Sequence, residues 1–190
     1  VPPVDVEQGR MVVAIDPGHG GIDPGAEVGD LDEANLVLGF ARRLKEELIR
    51  TGRFDVVLTR EEDSFVSLDQ RLTRARAAHA DVFLSLHADA LASGGASGIV
   101  VYSLAPSAVG DAGARLTERH SDDDLIGGVD LSGAGDDVAL ALLDLARLDT
   151  APRTEALSGA LVGAFDAAGL ALNSRPERLG AFSVLKSADI

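Results

Sequence analysis

Three side chains in this 190-residue sequence have the chemistry of metal ligands: His19, Glu33 and His87. His19 lies in the run Asp16-Pro17-Gly18-His19-Gly20-Gly21, where minimal side chains let an ion or a substrate come close to the backbone. The run also suits a plain tight turn with a bystander imidazole. A nucleotide-phosphate loop has little support, because the loop lysine and the GxGxxG spacing are both missing. Glu33 lies four residues before Val37 and shares its helical face with Phe40 and Leu44, so the spacing predicts a carboxylate on a buried face. Burial there costs several kcal/mol unless the group is paired or bound to a cation. The other reading is a frayed first turn, where the helix dipole and water both welcome glutamate. His87 closes the apolar run Val82-Phe83-Leu84-Ser85-Leu86 and precedes Asp89 by two residues. Such a histidine can equally be a satisfied hydrogen-bonding group. Together, two imidazoles and one carboxylate form the three-ligand set of a catalytic zinc site, with a fourth position left for water. Asp89 can orient an imidazole from behind or add an oxygen to the ion. His79, four residues past Ala75, falls on an apolar stripe and is expected to be structural.

The elements that must carry these groups follow from periodicity. Met11-Val12-Val13-Ala14-Ile15 reads as a strand buried on both faces, Asp55 to Thr59 as a second, Val82 to Leu86 as a third and Gly98 to Ser103 as a fourth. Between them Leu31 to Arg50 is helical, with Val37, Phe40, Leu44 and Leu48 on one face and Gly52 as the stop. A second helix starts at Leu68, with Leu72 and Ala75 inward. Asp30 and Asp32 fit cap or first-turn positions. Alternating strands and helices predict an α/β fold, a mostly parallel twisted sheet flanked by helices. His19 and His87 both follow strand carboxyl ends, the rim at which such sheets bind ligands. Further on, helices are expected from Asp136-Asp137 and from about Arg153 to Gly169, with a strand entry at Ala181 to Leu185.

Composition narrows the function. A net charge of -14 argues against a nucleic-acid partner, which needs Lys and Arg to displace counterions. There is no cysteine, which excludes disulfides and thiolate zinc sites, and no tryptophan to stack on bases or sugars. No apolar run approaches the ~20 residues of a membrane span, and no secretory signal opens the chain. The charge is uneven: Asp111 to Thr150 holds nine Asp and one Glu against three Arg, half of the net charge. With its abrupt compositional edges, this acidic stretch (about 105–150) reads as a helical insertion in the scaffold.

At these residues the chain resembles a known family, the zinc-dependent N-acetylmuramoyl-L-alanine amidases that cleave peptidoglycan. The resemblance runs from Met11 to Ile190. It rests on Ile15 to Gly21 with Asp23, Gly25 and Ala26, on Glu33 opening a helix, and on Leu58-Thr59-Arg60 with Asp63, Phe65, Leu68 and Arg71. It continues through Ala80 to Asp89, Gly98 to Tyr102 and Ala181 to Lys186. It implies that His19, Glu33 and His87 bind one Zn2+ and that the substrate is the amide between N-acetylmuramic acid and L-alanine. Zinc would polarise the scissile carbonyl and bring the pKa of its water towards ~7.

The resemblance also implies a general-base glutamate on a strand after the Phe-x-Val-Leu-Lys block. That position falls beyond Ile190, so residues 1–190 are expected to form one catalytic domain short of its last strand and inactive alone. The insertion resembles one that, in the cell-division branch of the family, lays a helix over the metal. There a helix glutamate can take the open metal position; here His120 stands in its place, with Glu118 as a substitute. The implied behaviour is autoinhibition relieved by a periplasmic activator, in an exported, periplasmic enzyme of daughter-cell separation. Two rival classes are a different zinc peptidase-type hydrolase and a non-catalytic wall-binding module.

Overall fold

A computed structural model describes residues 9–88, 98–104, 125–126, 129–130, 136–180, 182–186 and 190. The chain forms two compact units, residues 1–94 with Ile190 and residues 95–189. In the first, strand β1 (Met11–Pro17) is the centre of a three-stranded parallel sheet, flanked by β4 (Phe54–Leu58) and β5 (Val82–Leu86). Its centrality explains the unbroken apolar run, since both of its faces are covered. Val13 and Ile15 face one way and pack with Ala41, Leu44 and Leu48 of helix α1 (Glu33–Arg50). Val12 and Ala14 face the other way and pack with Ala75 of helix α2 (Leu68–Ala77), with Ala80 and with Ile190. The alternation of side chains along one strand therefore assigns the two crossover helices to opposite faces. The α/β reading and the parallel sheet hold.

Local chemistry sets the helix ends. Two short strands, β2 (Glu27–Val28) and β3 (Leu31–Asp32), form an antiparallel hairpin directly before α1. The expected helix start at Leu31 therefore moves to Glu33, because Asp32 is extended and caps the helix by accepting from the Asn35 amide at 2.7 Å. The helix ends at Arg50 with Thr51 as its cap, and Gly52 follows with a φ of 73° that suits glycine. The buried stripe of α1 is Ala34, Val37, Leu38 and Ala41, whereas Phe40, expected inward, is 57% exposed. It lies to one side of that stripe, about 100° around the helix from Ala41. Ser67 and Gln70 close a reciprocal capping box on α2. His79 does not lie on the apolar stripe: α2 ends at Ala77, and His79 is an exposed left-handed residue (φ 52°) in the turn that closes the helix.

In the second unit, β6 (Ile99–Leu104) pairs in parallel with β9 (Leu172–Gly180), and a two-residue pair, β7 (Leu125–Ile126) and β8 (Val129–Asp130), forms a hairpin. A single helix, α3 (Asp136–Ala167), runs where two helices were expected. Proline removes one amide donor, but Pro152 stays inside α3. Arg153 Nε and Thr154 Oγ1 donate to the Asp149 and Thr150 carbonyls beside it, at 3.1 and 3.0 Å. Strand β9 escapes a reading by pattern because Asn, Ser, Arg, Pro and Glu are poor strand formers. It holds a register shift: Ile99 pairs with Leu172, but Val101 pairs with Glu177. The residues looped out include Pro176, which a bulge tolerates, and Asn173, whose side-chain oxygen accepts from the Arg175 amide and the Arg178 guanidinium. Residues Ser183–Lys186 form a 3₁₀ turn instead of a strand entry, closed by Leu185 donating to the Phe182 carbonyl. Among the described residues, no helix is long and apolar enough to cross a membrane.

Candidate metal centre

Buried Asp16 and Pro17 end β1, and the Gly18 amide donates to the Leu86 carbonyl at 3.0 Å. This bond carries the pairing of β1 and β5 one step beyond the sheet and places Gly18 against His87. A Cβ at Gly18 would lie 2.3 to 2.7 Å from three atoms of the His87 ring. His19 follows in a left-handed conformation (φ 58°), costly for a non-glycine residue and held by its surroundings. Its carbonyl accepts from Arg71 at 2.7 Å, and the Gly20–Asp23 bridge closes the turn behind it. Gly25 (φ 70°) completes the cradle, since a Cβ there would sit 2.7 Å from the His19 ring and 2.8 Å from a Glu33 oxygen.

Glu33 is the first residue of α1 and is buried, only 5% exposed. The loop before it returns its own backbone to the helix: Glu33 and Ala34 amides donate to the Ala26 and Pro24 carbonyls. The carboxylate then accepts on both oxygens, Oε2 from the Ala26 amide at 3.0 Å and Oε1 from the Ala88 amide at 2.8 Å. Oε1 is 3.0 Å from His87 Nδ1, and Oε2 is 3.3 Å from His19 Nε2. The two imidazoles stand edge to face with centroids 5.0 Å apart. One ligand atom from each of His19, Glu33 and His87 lies within 4.8 Å of the others. Burial alone would raise the Glu33 carboxyl; the Ala26 and Ala88 amides and the two imidazoles outweigh it and hold the group below its ordinary value. An ionised carboxylate between two imidazoles suits a borderline cation such as zinc.

A residue that sequence reasoning gave no role, Asp23, orients this cluster. Its Oδ2 is 2.9 Å from His19 Nδ1 and its Oδ1 accepts from the Gly25 amide at 3.2 Å. The hydrogen bond with His19 lowers its pKa; burial opposes this, and the Gly25 amide adds to the lowering. Accepting from Nδ1–H leaves Nε2 as the lone-pair atom on the Glu33 side, the usual carboxylate–imidazole–metal relay. Asp89, to which an orienting role was assigned, lies outside the described residues, as do Glu118 and His120.

Behind the loop is a buried polar framework that the sequence matched without assigning it a task. Asp16 accepts from Thr59 Oγ1, from Ser85 Oγ at 2.8 Å and from Arg71 Nη1 at 2.7 Å. Arg71 also donates to the Pro17 and Val66 carbonyls. Arg60, 1% exposed, donates to the carbonyls of Pro17, Gly18, Ala34 and Glu62. Burial, then the like charge of Arg71, lowers the Arg60 pKa, opposed by Asp63 and Asp16. A signal existed in the sequence: Arg71 sits four residues before Ala75 on the inward stripe of α2, and Asp16 ends an otherwise apolar strand. Two opposite charges on buried stripes must meet or unfold the protein.

Gly18→Ala should keep the fold yet displace the His87 ring, because the added methyl has no other space. Zinc affinity is expected to fall by about 10–100-fold, the scale of disturbed ligand orientation, with an unchanged far-ultraviolet circular dichroism spectrum. Wild-type affinity in this variant would show that the ring is not confined as described.

The fold and the cluster together define the class: an α/β domain with a candidate metal centre at the carboxyl rim of its parallel sheet. The family described as N-acetylmuramoyl-L-alanine amidase (Amidase_3) matches residues 13–190, and the chain belongs to that family. It is 43% identical over 143 residues to the N-acetylmuramoyl-L-alanine amidase AmiC of Neisseria meningitidis serogroup B, covering 74% of this chain and 34% of that protein. It is 33% identical over 185 residues to AmiA of Escherichia coli K12, covering 96% of this chain and 63% of that one. The chain thus spans about a third to under two thirds of these relatives' lengths. A solved N-acetylmuramoyl-L-alanine amidase from Clostridium difficile 630 aligns with a TM-score of 0.49 at 29% identity, over 58% of this chain and 66% of that one.

Proposed function

We propose that this protein is a zinc-dependent amidase that hydrolyses the bond between N-acetylmuramic acid and L-alanine in peptidoglycan, in the periplasm, during wall remodelling and daughter-cell separation. The observation that carries the reading is the convergence of His19 Nε2, Glu33 and His87 Nδ1 on one point, within a chain of the amidase family. These three residues would hold the ion. Zinc, when bound, supplies Lewis acidity towards a carbonyl and towards water. The chain's own residues do the rest. Asp23 fixes the His19 ring, the Ala26 and Ala88 amides hold the Glu33 carboxylate, and the Gly18 and Gly25 positions keep space beside the rings. Asp89 is proposed as an additional oxygen ligand or orienting group.

Zinc content and muropeptide products test the proposal, with the 190-residue chain and the whole encoded protein assayed side by side. One zinc per chain is expected, and the whole protein should release stem peptides that begin with free L-alanine. Cleavage inside the stem peptide would make the protein a peptidase instead, and no zinc would end the reading.

The acidic stretch 105–150 is proposed as a regulatory insertion within a single catalytic domain. There His120 or Glu118 would take the open metal position until a periplasmic activator binds, a population shift between closed and open forms. Deleting residues 111–150 from the whole protein should raise basal activity. A folded deletion variant that is no more active than its parent would rule the plug out.

A further inference from the structure

Two of the candidate ligands sit on separate pieces of backbone, His19 on the loop after β1 and Glu33 on the first turn of α1. One side chain ties those pieces together. Arg60 Nη2 donates to the Gly18 carbonyl at 2.8 Å and to the Ala34 carbonyl at 2.7 Å. Gly18 directly precedes His19, and Ala34 directly follows Glu33. Arg60 Nε and Nη1 are occupied by the Pro17 and Glu62 carbonyls, at 2.9 and 3.1 Å. Every acceptor is a backbone carbonyl, and among the described residues no carboxylate forms an ion pair with this guanidinium.

That arrangement is unusual for a buried cation close to a site suited to another cation. Through charge alone, Arg60 opposes metal binding. Through geometry it favours binding, because a rigid planar fork holding both carbonyls keeps the His19 and Glu33 donor atoms at a set separation before any ion arrives. Lysine, a point charge on a flexible stem, does not reproduce the fork. The two effects have opposite signs, so substitution can separate them.

We infer that Arg60 is a positioning residue for the metal centre: it clamps the His19 loop to the first turn of α1 and thereby fixes the ligand separation. The inference rests on the zinc reading of His19, Glu33 and His87. It assigns the clamp specifically to Arg60, whereas Arg71 holds the loop only to Asp16 and the start of α2.

The test is zinc and cobalt(II) titration of the 190-residue chain as wild type, Arg60→Lys and Arg60→Met, with thermal melts of each. Wild type should bind one zinc, and both variants should bind about 10–100-fold more weakly. Their cobalt(II) absorption bands should shift in position and intensity, a change in ligand geometry that a merely less stable fold would not cause. Tighter binding by Arg60→Met would mean that charge dominates and would overturn the clamp, as would affinities and spectra equal to wild type in both variants. Should neither variant fold, side-chain nitrogen resonances of Arg60 in the metal-free wild-type protein decide. Slow exchange and hindered rotation there support a preformed clamp, and a freely rotating guanidinium overturns it. A wild-type chain that binds no zinc overturns the zinc reading and this inference together, which distinguishes that failure from one confined to Arg60.

Discussion

Glu33→Gln is expected to lose stoichiometric zinc while the sheet and helices remain. Among the described residues the Glu33 carboxylate is the anionic group placed between the two imidazoles, and both of its oxygens already accept backbone amides. Glutamine keeps the size but presents an NH2 group where one of those amides needs an acceptor, so one donor is left facing another. It also removes the charge that attracts the cation in a buried setting, where Coulomb interactions are strongest. Disturbing a group that only orients a ligand costs about 10–100-fold in metal affinity, and losing the anionic ligand itself should exceed that. Asp23→Asn supplies the comparison, because it weakens the hold on His19 Nδ1 and leaves all three donors present. The expected order of zinc affinity is wild type, then Asp23→Asn, then Glu33→Gln, read by competition with a chelator of known affinity. Wild-type affinity in Glu33→Gln would remove this residue from the proposed ligand set.

A loss of stability of about 3–5 kcal/mol is expected from Arg71→Met or Asp16→Leu alone, the cost of stranding one half of a buried ion pair. The two side chains are 8% and 2% exposed and meet at 2.7 Å, so water cannot take over for the missing partner. Against a typical total of about 5–15 kcal/mol, either change brings a domain close to unfolding. The double variant should lose less than the sum of the two singles, because it leaves neither charge unpaired. It should not regain full zinc affinity, since the His19 carbonyl still lacks the Arg71 guanidinium that held it. Urea unfolding of the four proteins checks the cycle. A single variant that lost less than about 1 kcal/mol would show that the pair is better solvated than its burial implies.

Much of the fold was legible because it depends on local rules. An unbroken apolar run could only be a covered strand, glycine could only end α1 where φ turns positive, and Asp32 could cap because its oxygen reaches an amide three residues on. The same rules failed where a partner strand overrode them. Strand β9 has almost no strand-forming residues and exists through its pairing with β6. Pro152 did not break α3, which runs on past it to Ala167.

The candidate site divides in the same way. Residue types alone singled out His19, Glu33 and His87, because glycines around a histidine, a carboxylate on an inward helical position and a histidine at a strand end each need a reason. Their meeting could not be read from types. It depends on the Gly18–Leu86 bond that aligns two strand ends and on the loop of residues 24–26 folding back on α1. Nor could spacing assign Asp23 to the His19 ring, since that contact turns on the left-handed backbone at His19. The framework of Asp16, Arg60 and Arg71 joins positions 26 to 69 residues apart. Only tertiary packing brings such distant charges together, and once they are out of water each requires its partner.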